Sequence, residues 1–302
     1  MYKYRLFGLK LISEIKIVAL ECLKLDSNDN FDVKIFIGNI PKVVREKVVS
    51  RNGYYSISKN EFTFKHILLD VGFHVRDDNE IIIDKACCND LKVISIYLLG
   101  TIMGYILYKK NYLPLHASAI HTSKGAVLFL GESGVGKSTT AFKLCAKGYE
   151  LITDDIAPIK VIDGEPVVYA GYPKFKLDRN TLQTQKIREK KLKILKEPFN
   201  KYYVNSDNKV NNEFESIHKI YNLSADKNAT LTSITPHTGL DKLKLLKLNT
   251  YRKIFIKHMN KRTKLFKIEM KLSELPICSV NRTNKLKNIN EFIDKIEEDM
   301  SR

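Results

Sequence analysis

The sequence predicts an α/β phosphate-loop domain preceded by a mostly β region. Three observations carry this: a glycine-rich loop set between an apolar run and a helical run, alternating strand and helix patterns on either side of it, and short β-type runs across the first eighty or so residues. The loop runs from Gly131 to Ser138, Gly-Glu-Ser-Gly-Val-Gly-Lys-Ser, and fits G-x-x-x-x-G-K-[ST] at every fixed position. Before it lies Ala126-Val127-Leu128-Phe129-Leu130, long enough for a buried strand. After it, Thr139 to Lys147 is apolar at helical spacing and stops at Gly148.

The residue types suit a phosphate chain, which binds closely where backbone N–H groups point inward and no Cβ intervenes. Gly131, Gly134 and Gly136 meet that need, with Glu132, Ser133, Val135 and Thr139 completing the candidate nucleotide-binding set. Lys137 places a cation on the β and γ phosphates, and Ser138 offers a hydroxyl to a bridging magnesium ion.

The whole chain bounds the alternatives. Its 302 residues suffice for two modest domains or one large one, and 44% hydrophobic content supports a real core. The net charge is +17, concentrated in Lys174 to Lys201 and Lys242 to Lys271. No aromatic-interleaved basic motif accompanies it, so solvated faces, nucleotide phosphates or an acidic protein substrate account for it better than a nucleic acid. Cys22, Cys87, Cys88, Cys145 and Cys278 form no C-x-x-C pair, and an odd total argues against a disulfide framework. A reducing cytosol suits them, and Lys3, Arg5, Lys10, Glu14 and Lys16 interrupt any signal-peptide run, so a cytoplasmic protein is expected. The sequons at Asn222, Asn228 and Asn281 then carry little meaning. Val93 to Tyr108 is uncharged but short of the roughly 18–20 residues of a membrane span, and reads as a buried core helix.

In chain order, β-type runs are expected at Ile15 to Leu20, Phe31 to Ile37, Tyr54 to Ile57, Phe62 to Leu69, Phe73 to Arg76 and Glu80 to Ile83, with His66 and His74 as ordinary strand residues. Asp90 caps a long helix from about Leu91 to Lys110. A region 1–90 and a catalytic domain 91–302 are the expected division. Leu115 to Ile120 reads as a strand carrying His116. If it forms a hairpin with the loop's strand about Lys124-Gly125, His116 returns towards Gly131, where it would face the γ-phosphate.

After the loop's helix, Tyr149 to Thr153 reads as a strand ending in Asp154-Asp155. Carboxylates there suit magnesium binding and acceptance of a proton from an attacking hydroxyl. Strands follow about Asp163-Gly164, then a charged, asparagine-rich segment at 178–212 with a helical middle near Thr184 to Leu195, expected to be a mobile lid or substrate-facing insertion. Strand character returns at Ile217 to Leu223 and at Leu275 to Val280. Helical pieces run from Asp241 to about Lys264, and an amphipathic helix is expected over Ile289 to Met300.

The set Leu115-His116-Ala117-Ser118-Ala119, Gly131 to Thr139, and Gly148 followed by Asp154-Asp155 resembles the catalytic domain of the HPr kinase/phosphorylase family. Phe7-Gly8, Ser13-Glu14 and Gly171-Tyr172-Pro173 look more like the branch found beside lasso peptide biosynthesis genes, whose members phosphorylate a serine near the C-terminus of a precursor peptide. The resemblance implies a phosphoenolpyruvate-carboxykinase-like fold, ATP and Mg2+ as cofactors, and a peptide or small protein with an acceptor serine as partner. It implies no nucleic acid and no membrane. Lys137 would contact phosphates, Ser138 and Asp154 the metal, Asp155 would accept the serine proton, His116 would support the phosphoryl group, and Arg252 is the candidate for a late catalytic arginine. The family includes hexamers, so a homo-oligomer is implied, though no feature of the chain demands it. HPr kinases carry an Ile-Arg-Gly signature with an acidic ligand where this chain reads Val168-Tyr169-Ala170-Gly171-Tyr172-Pro173, without a carboxylate. Two other readings stand beside a peptide kinase: a kinase/phosphorylase of an HPr-like phosphocarrier, and a non-catalytic nucleotide-binding scaffold.

Overall fold

The computed structural model describes all residues except 26–29, 42–46, 88–89, 185–200, 208, 227–230, 260, 284–288 and 302. It divides into two units: one holds Met1–Tyr112 and Arg252–Leu265, the other the described residues of 113–251 and 266–301. The helix after Asp90 thus falls in the first unit, not in the domain that a boundary at residue 90 would give it to.

The first unit is built on an eight-stranded sheet. Its strands are β1 (Tyr2–Leu6), β2 (Leu9–Ser13), β3 (Val33–Gly38), β4 (Ser50–Arg51), β5 (Tyr55–Ile57), β6 (Phe62–His66), β7 (Val71–Arg76) and β8 (Glu80–Asp84), ordered β1-β2-β3-β8-β7-β6-β5-β4. Phe7 and Gly8, both at positive φ (55° and 73°), turn β1 into β2. Glu14 accepts a bond from the Ile37 amide at 2.7 Å. These residues therefore shape and tie down this sheet. Ile15 to Leu20 is not a strand: the Tyr4 hydroxyl accepts the Ile17 amide at 2.9 Å, and Val18–Leu23 winds into a 3-10 helix burying Ala19 and Leu20. His66 and His74 are structural, as expected; His66 accepts the Leu69 amide and His74 meets Thr63 at 2.9 Å.

Asp90 caps its helix as expected, accepting from the amides of Lys92 and Val93. The helix has two α parts, α1 (Leu91–Tyr97) and α2 (Met103–Lys109), joined by a π turn over Leu98–Ile102. Its 19 residues from Leu91 to Lys109 have mean hydropathy reaching 1.6, apolar enough to cross a membrane, but 78% of the window is buried inside the protein. Tyr105 stacks on Phe62 at 4.7 Å, Tyr97 meets Phe64 at 5.0 Å, and Phe255 stands edge-on to Phe62 at 5.1 Å. That is a core helix whose apolar sides are taken up by protein.

The second unit has strands β9 (Leu113–Leu115), β10 (Ser118–Thr122), β11 (Gly125–Leu130), β12 (Glu150–Thr153), β13 (Ala157–Ile162), β14 (Glu165–Tyr169), β15 (Lys174–Asp178), β16 (Lys201–Asn205), β17 (Phe214–Asp226), β18 (Ser233–Pro236) and β19 (Ile277–Thr283). Its helices are α3 (Lys137–Ala146), α4 (Arg179–Thr184), α5 (Gly239–Leu248), α6 (Arg262–Glu274, which begins in the first unit) and α7 (Ile289–Ser301). The main sheet is mixed and runs β12-β10-β11-β17-β14-β13-β9, with β19 on β17 and β18 on β19. β11, β17 and β19 are mutually parallel neighbours, so their C-terminal ends share one edge of the sheet.

The expected hairpin is present, with Ser118 opposite Phe129 and Thr122 opposite Gly125. The single strand expected from Leu115 to Ile120 is broken at His116-Ala117. There the chain changes neighbours: β9 pairs with β13, whereas β10 pairs with β11 and β12. α3 and α7 cover a core of Val127, Phe129, Ala141, Leu144, Phe292 and Ile296, in which Phe129 stacks on Tyr221 at 5.9 Å. α7 is amphipathic as read, and Lys147 at the end of α3 pairs with its Asp294 and Glu297. β15 and β16 form a separate antiparallel pair. Of the expected helical middle of the insertion, Thr184 ends α4, and the rest lies outside the described residues.

Phe62 is fully buried between Tyr105 and Phe255. Phe62→Ala should cost about 3–5 kcal/mol, read as faster amide hydrogen exchange in β6 and β7 with exchange in β11 and β17 unchanged.

Candidate active site

The loop keeps its shape because its glycines are where only glycine fits. Gly131, Gly134 and Gly136 have φ of 132°, 86° and 106°. Gly131 is doubly constrained, since a Cβ there would lie 2.5 Å from the Leu223 carbonyl oxygen of β17. Its amide donates to the Asn249 side chain at 2.8 Å, and the Asn249 carbonyl accepts the His116 amide at 2.7 Å. Asn249, buried just beyond α5, also donates to Asn222 and to the Leu245 carbonyl. One amide side chain thus fixes the entrance of the loop, and its own main chain fixes His116.

α3 starts at Lys137, whose ammonium is buried and donates to the carbonyls of Gly131 (2.7 Å) and Glu132 (3.0 Å). A cation is therefore held inside the loop at the positive end of a helix, an arrangement that favours an anion there. A pocket opens over it, lined among others by His116, Ser133, Gly134, Ser138, Thr139 and Asp155, with Lys176 and Asp178 on the far wall.

The two aspartates are divided by their surroundings. Asp154 is buried, and accepts from Ser118 Oγ at 2.6 Å, from the Lys176 amide at 2.7 Å, and from Ser138. Burial raises its pKa, and these bonds pull the other way. Asp155 takes positive φ (71°), a conformation Asp tolerates better than most residues, and turns its carboxylate into the pocket. There Oδ1 is 3.4 Å from His116 Nδ1, and Oδ2 is 3.5 Å from Lys176 Nζ.

His116 Nδ1 also lies 2.9 Å from the Asp155 carbonyl oxygen. That oxygen can only accept, so the Nδ1 proton is fixed and Nε2 carries the lone pair in the neutral ring. Burial lowers the His116 pKa, opposed by the charge of Asp155 and reinforced by that of Lys137. The ring is neutral at pH 7.

Ser138 and Asp154 offer hard oxygen donors beside a phosphate loop. That fits Mg2+, which binds through one or two protein oxygens, substrate phosphates and waters rather than a full protein cage. Among the described residues no group of three or more His, Cys, Asp or Glu could hold a metal alone.

The candidates His116, Lys137, Ser138, Asp154 and Asp155 therefore converge. Arg252 is placed in the first unit, at φ 44°, lining an aromatic pocket with Tyr54, Phe62, Phe64, His66 and Tyr97. Asn249, which holds the loop entrance, and Lys176 and Asp178, which line the pocket, were not singled out in the sequence, nor was Arg282, whose guanidinium stands beside Gly136. Lys176 and Asp178 had a signal in their alternation with buried Phe175 and Leu177 just after the Asp pair; Asn249 and Arg282 had none.

Fold and site together define a mixed α/β domain with a phosphate loop and a histidine–aspartate set at its mouth. Residues 110–177 match the family described as "HPr Serine kinase C-terminal domain". The chain is 47% identical over 51 residues to the HPr kinase/phosphorylase of Clostridium beijerinckii, covering 17% of each chain. It is 26% identical over 137 residues to that of Lachnoclostridium phytofermentans, covering 44% of each. The chain thus spans less than half the length of these curated relatives. Among solved structures it is similar to the Hpr(Ser) kinase/phosphatase from Coxiella burnetii, with 12% identity over 62% of this chain and 92% of that one; the TM-score of 0.34 carries no argument about the fold.

Two outcomes follow from this geometry. Gly131→Ala should weaken binding of a nucleoside triphosphate by at least tenfold in calorimetry, because the methyl cannot avoid the Leu223 carbonyl. For His116, the folded-state pKa lies below the unfolded value of 6.5, so the unfolded chain takes up the proton first as pH falls. Its contribution to stability is complete above pH 6.5 and is lost as pH drops towards the lowered folded value. Denaturant titrations should show wild type losing stability relative to His116→Asn below pH 6.5, and the two running parallel above it.

Proposed function

We propose that this chain is an ATP- and Mg2+-dependent kinase that phosphorylates a serine hydroxyl on a peptide or small protein. The observation that supports it best is Asp155, a pocket carboxylate set between His116 and Lys176 at the mouth of the phosphate loop. Similarity of residues 110–177 to an HPr serine kinase domain supports it as well.

In this reading the loop amides and Lys137 bind the phosphate chain and neutralise it. Ser138 and Asp154 hold Mg2+, which when bound draws charge off the transferring phosphoryl oxygens. Asp155 orients the acceptor hydroxyl and takes its proton. His116, neutral and fixed by the Asp155 carbonyl, presents Nε2 as an acceptor that holds the hydroxyl or a water without adding a charge. Lys176 offsets the negative charge gathered by the Asp pair and the phosphates. No step is routed through Arg252.

The finer proposal for the acceptor is the C-terminal serine of a lasso-type precursor peptide, on the resemblance of Phe7-Gly8, Ser13-Glu14 and Gly171-Tyr172-Pro173. Phosphorylation of an HPr-like phosphocarrier is the second reading, favoured by the names of the similar proteins. Against it stands the stretch from Val168 to Pro173, which lacks a carboxylate; Asp178, lining the pocket, brings one to the site from a different position.

Intact mass spectrometry after incubation with ATP and Mg2+ tests both acceptors. A phosphate mass gain on the precursor peptide is expected. Gain on the HPr-like protein alone would transfer the proposal to the second reading, and gain on neither, with nucleotide bound, would leave a different acceptor or a scaffold. Asp155→Asn should lower transfer by roughly a hundredfold to ten-thousandfold while leaving ATP affinity within a few fold.

A further inference from the structure

Arg282 stands near the C-terminal end of β19, opposite Ala225 of β17, on the edge where the parallel strands deliver the phosphate loop. Its guanidinium lies against Gly136: a Cβ built on that glycine would be 3.7 Å from Cζ and from Nη2. The guanidinium thus stands within van der Waals reach of the last glycine of the loop. Nε of Arg282 is buried and, among the described residues, has no hydrogen-bond partner. Burial depresses its pKa.

Half-burying a guanidinium without an acceptor is costly, and folded proteins retain such a group where something else supplies the anion. The neighbouring anion site is the loop itself. Lys137 directs its ammonium to the Gly131–Glu132 end of the loop, whereas Arg282 stands at the Gly136 end, where α3 begins. The two cations thus stand at opposite ends of the loop.

We infer that Arg282 is a phosphate-binding residue, donating to the oxygens of the nucleotide's phosphate chain at the Gly136 end of the loop. This rests on the phosphate-loop reading of the site but not on phosphoryl transfer. Arginine suits the position because its planar fork can serve two oxygens of one phosphate.

Calorimetric titration of the full chain with ATP and, separately, with inorganic triphosphate, both with Mg2+, tests this. Arg282→Gln should weaken both ligands by about tenfold or more, and Arg282→Lys should recover part of the loss. Without ligand, Arg282→Gln should unfold at the same temperature as wild type or higher, since it removes an unpaired buried charge. A loss for ATP alone would mean that Arg282 touches the base and would overturn the inference, as would unchanged affinity for both ligands. A lower unfolding temperature without ligand, with affinities unchanged, would make the arginine structural and overturn it too. If wild type binds neither ligand, the phosphate-loop reading falls and takes this inference with it; if wild type binds both and Arg282→Gln does too, only the inference falls.

Discussion

The close approach of Gly131 to β17 is the constraint on which the rest of the site depends. Where β11 ends, the chain must turn sharply while lying within reach of the Leu223 carbonyl, and a methyl group on Gly131 would sit 2.5 Å from that oxygen. The parallel pairing of β11 with β17 sets that distance, and the buried stack of Phe129 on Tyr221 holds the two strands in register. From there the Gly131 amide reaches Asn249, and the Asn249 carbonyl reaches His116. Loop, histidine and sheet are thus one hydrogen-bonded object, and the His116 ring is aimed by main-chain bonds rather than by a flexible side-chain contact.

The break between β9 and β10 has the same origin. A continuous strand would have buried His116 in a ladder with both neighbours. By exchanging β13 for β11 and β12 at His116-Ala117, the chain spares one residue from strand pairing and directs it to the pocket. The cost is an irregular backbone, met by the bond from the His116 amide to Asn249 and by that from its ring to the Asp155 carbonyl.

What was legible in the sequence was what local chemistry dictates. The strand–loop–helix around Gly131 to Ser138, the helix stop at Gly148, the turn at Asp163-Gly164, the cap at Asp90 and the amphipathic C-terminal helix all rest on residues a few positions apart. What was not legible depended on partners far away. Ile15 to Leu20 has strand composition, yet the distant Tyr4 hydroxyl takes its amide and the chain coils. Asn249 and Arg282 lie more than a hundred residues from the loop, in segments of ordinary polar composition. The sheet order, with β17 beside β11 and β19 beside β17, brings Arg282 to the glycines, and the bridge of Thr250 to Leu115 at the end of α5 brings Asn249 there. The long apolar helix was read correctly as a core element, but its unit was not, because the rings that cover it, Phe62 and Phe64, lie on strands that carry no mark of their partner.

The adjacent aspartates show how one turn supplies two different carboxylates. Asp154 ends a strand and points inward, where Ser118, Ser138 and the Lys176 amide supply donors that make burial of its charge tolerable. Asp155, at positive φ, is rotated out of that network, and its carboxylate faces His116 at 3.4 Å and Lys176 at 3.5 Å. A carboxylate fully tied up by donors is a poor proton acceptor and a good fixed ligand; one loosely held beside a cation keeps lone pairs for an incoming hydroxyl. The backbone flip between the two residues therefore separates two environments without any difference in side-chain chemistry: the positive φ of Asp155, one residue after the buried Asp154, sends a second identical carboxylate to the pocket instead of into the protein.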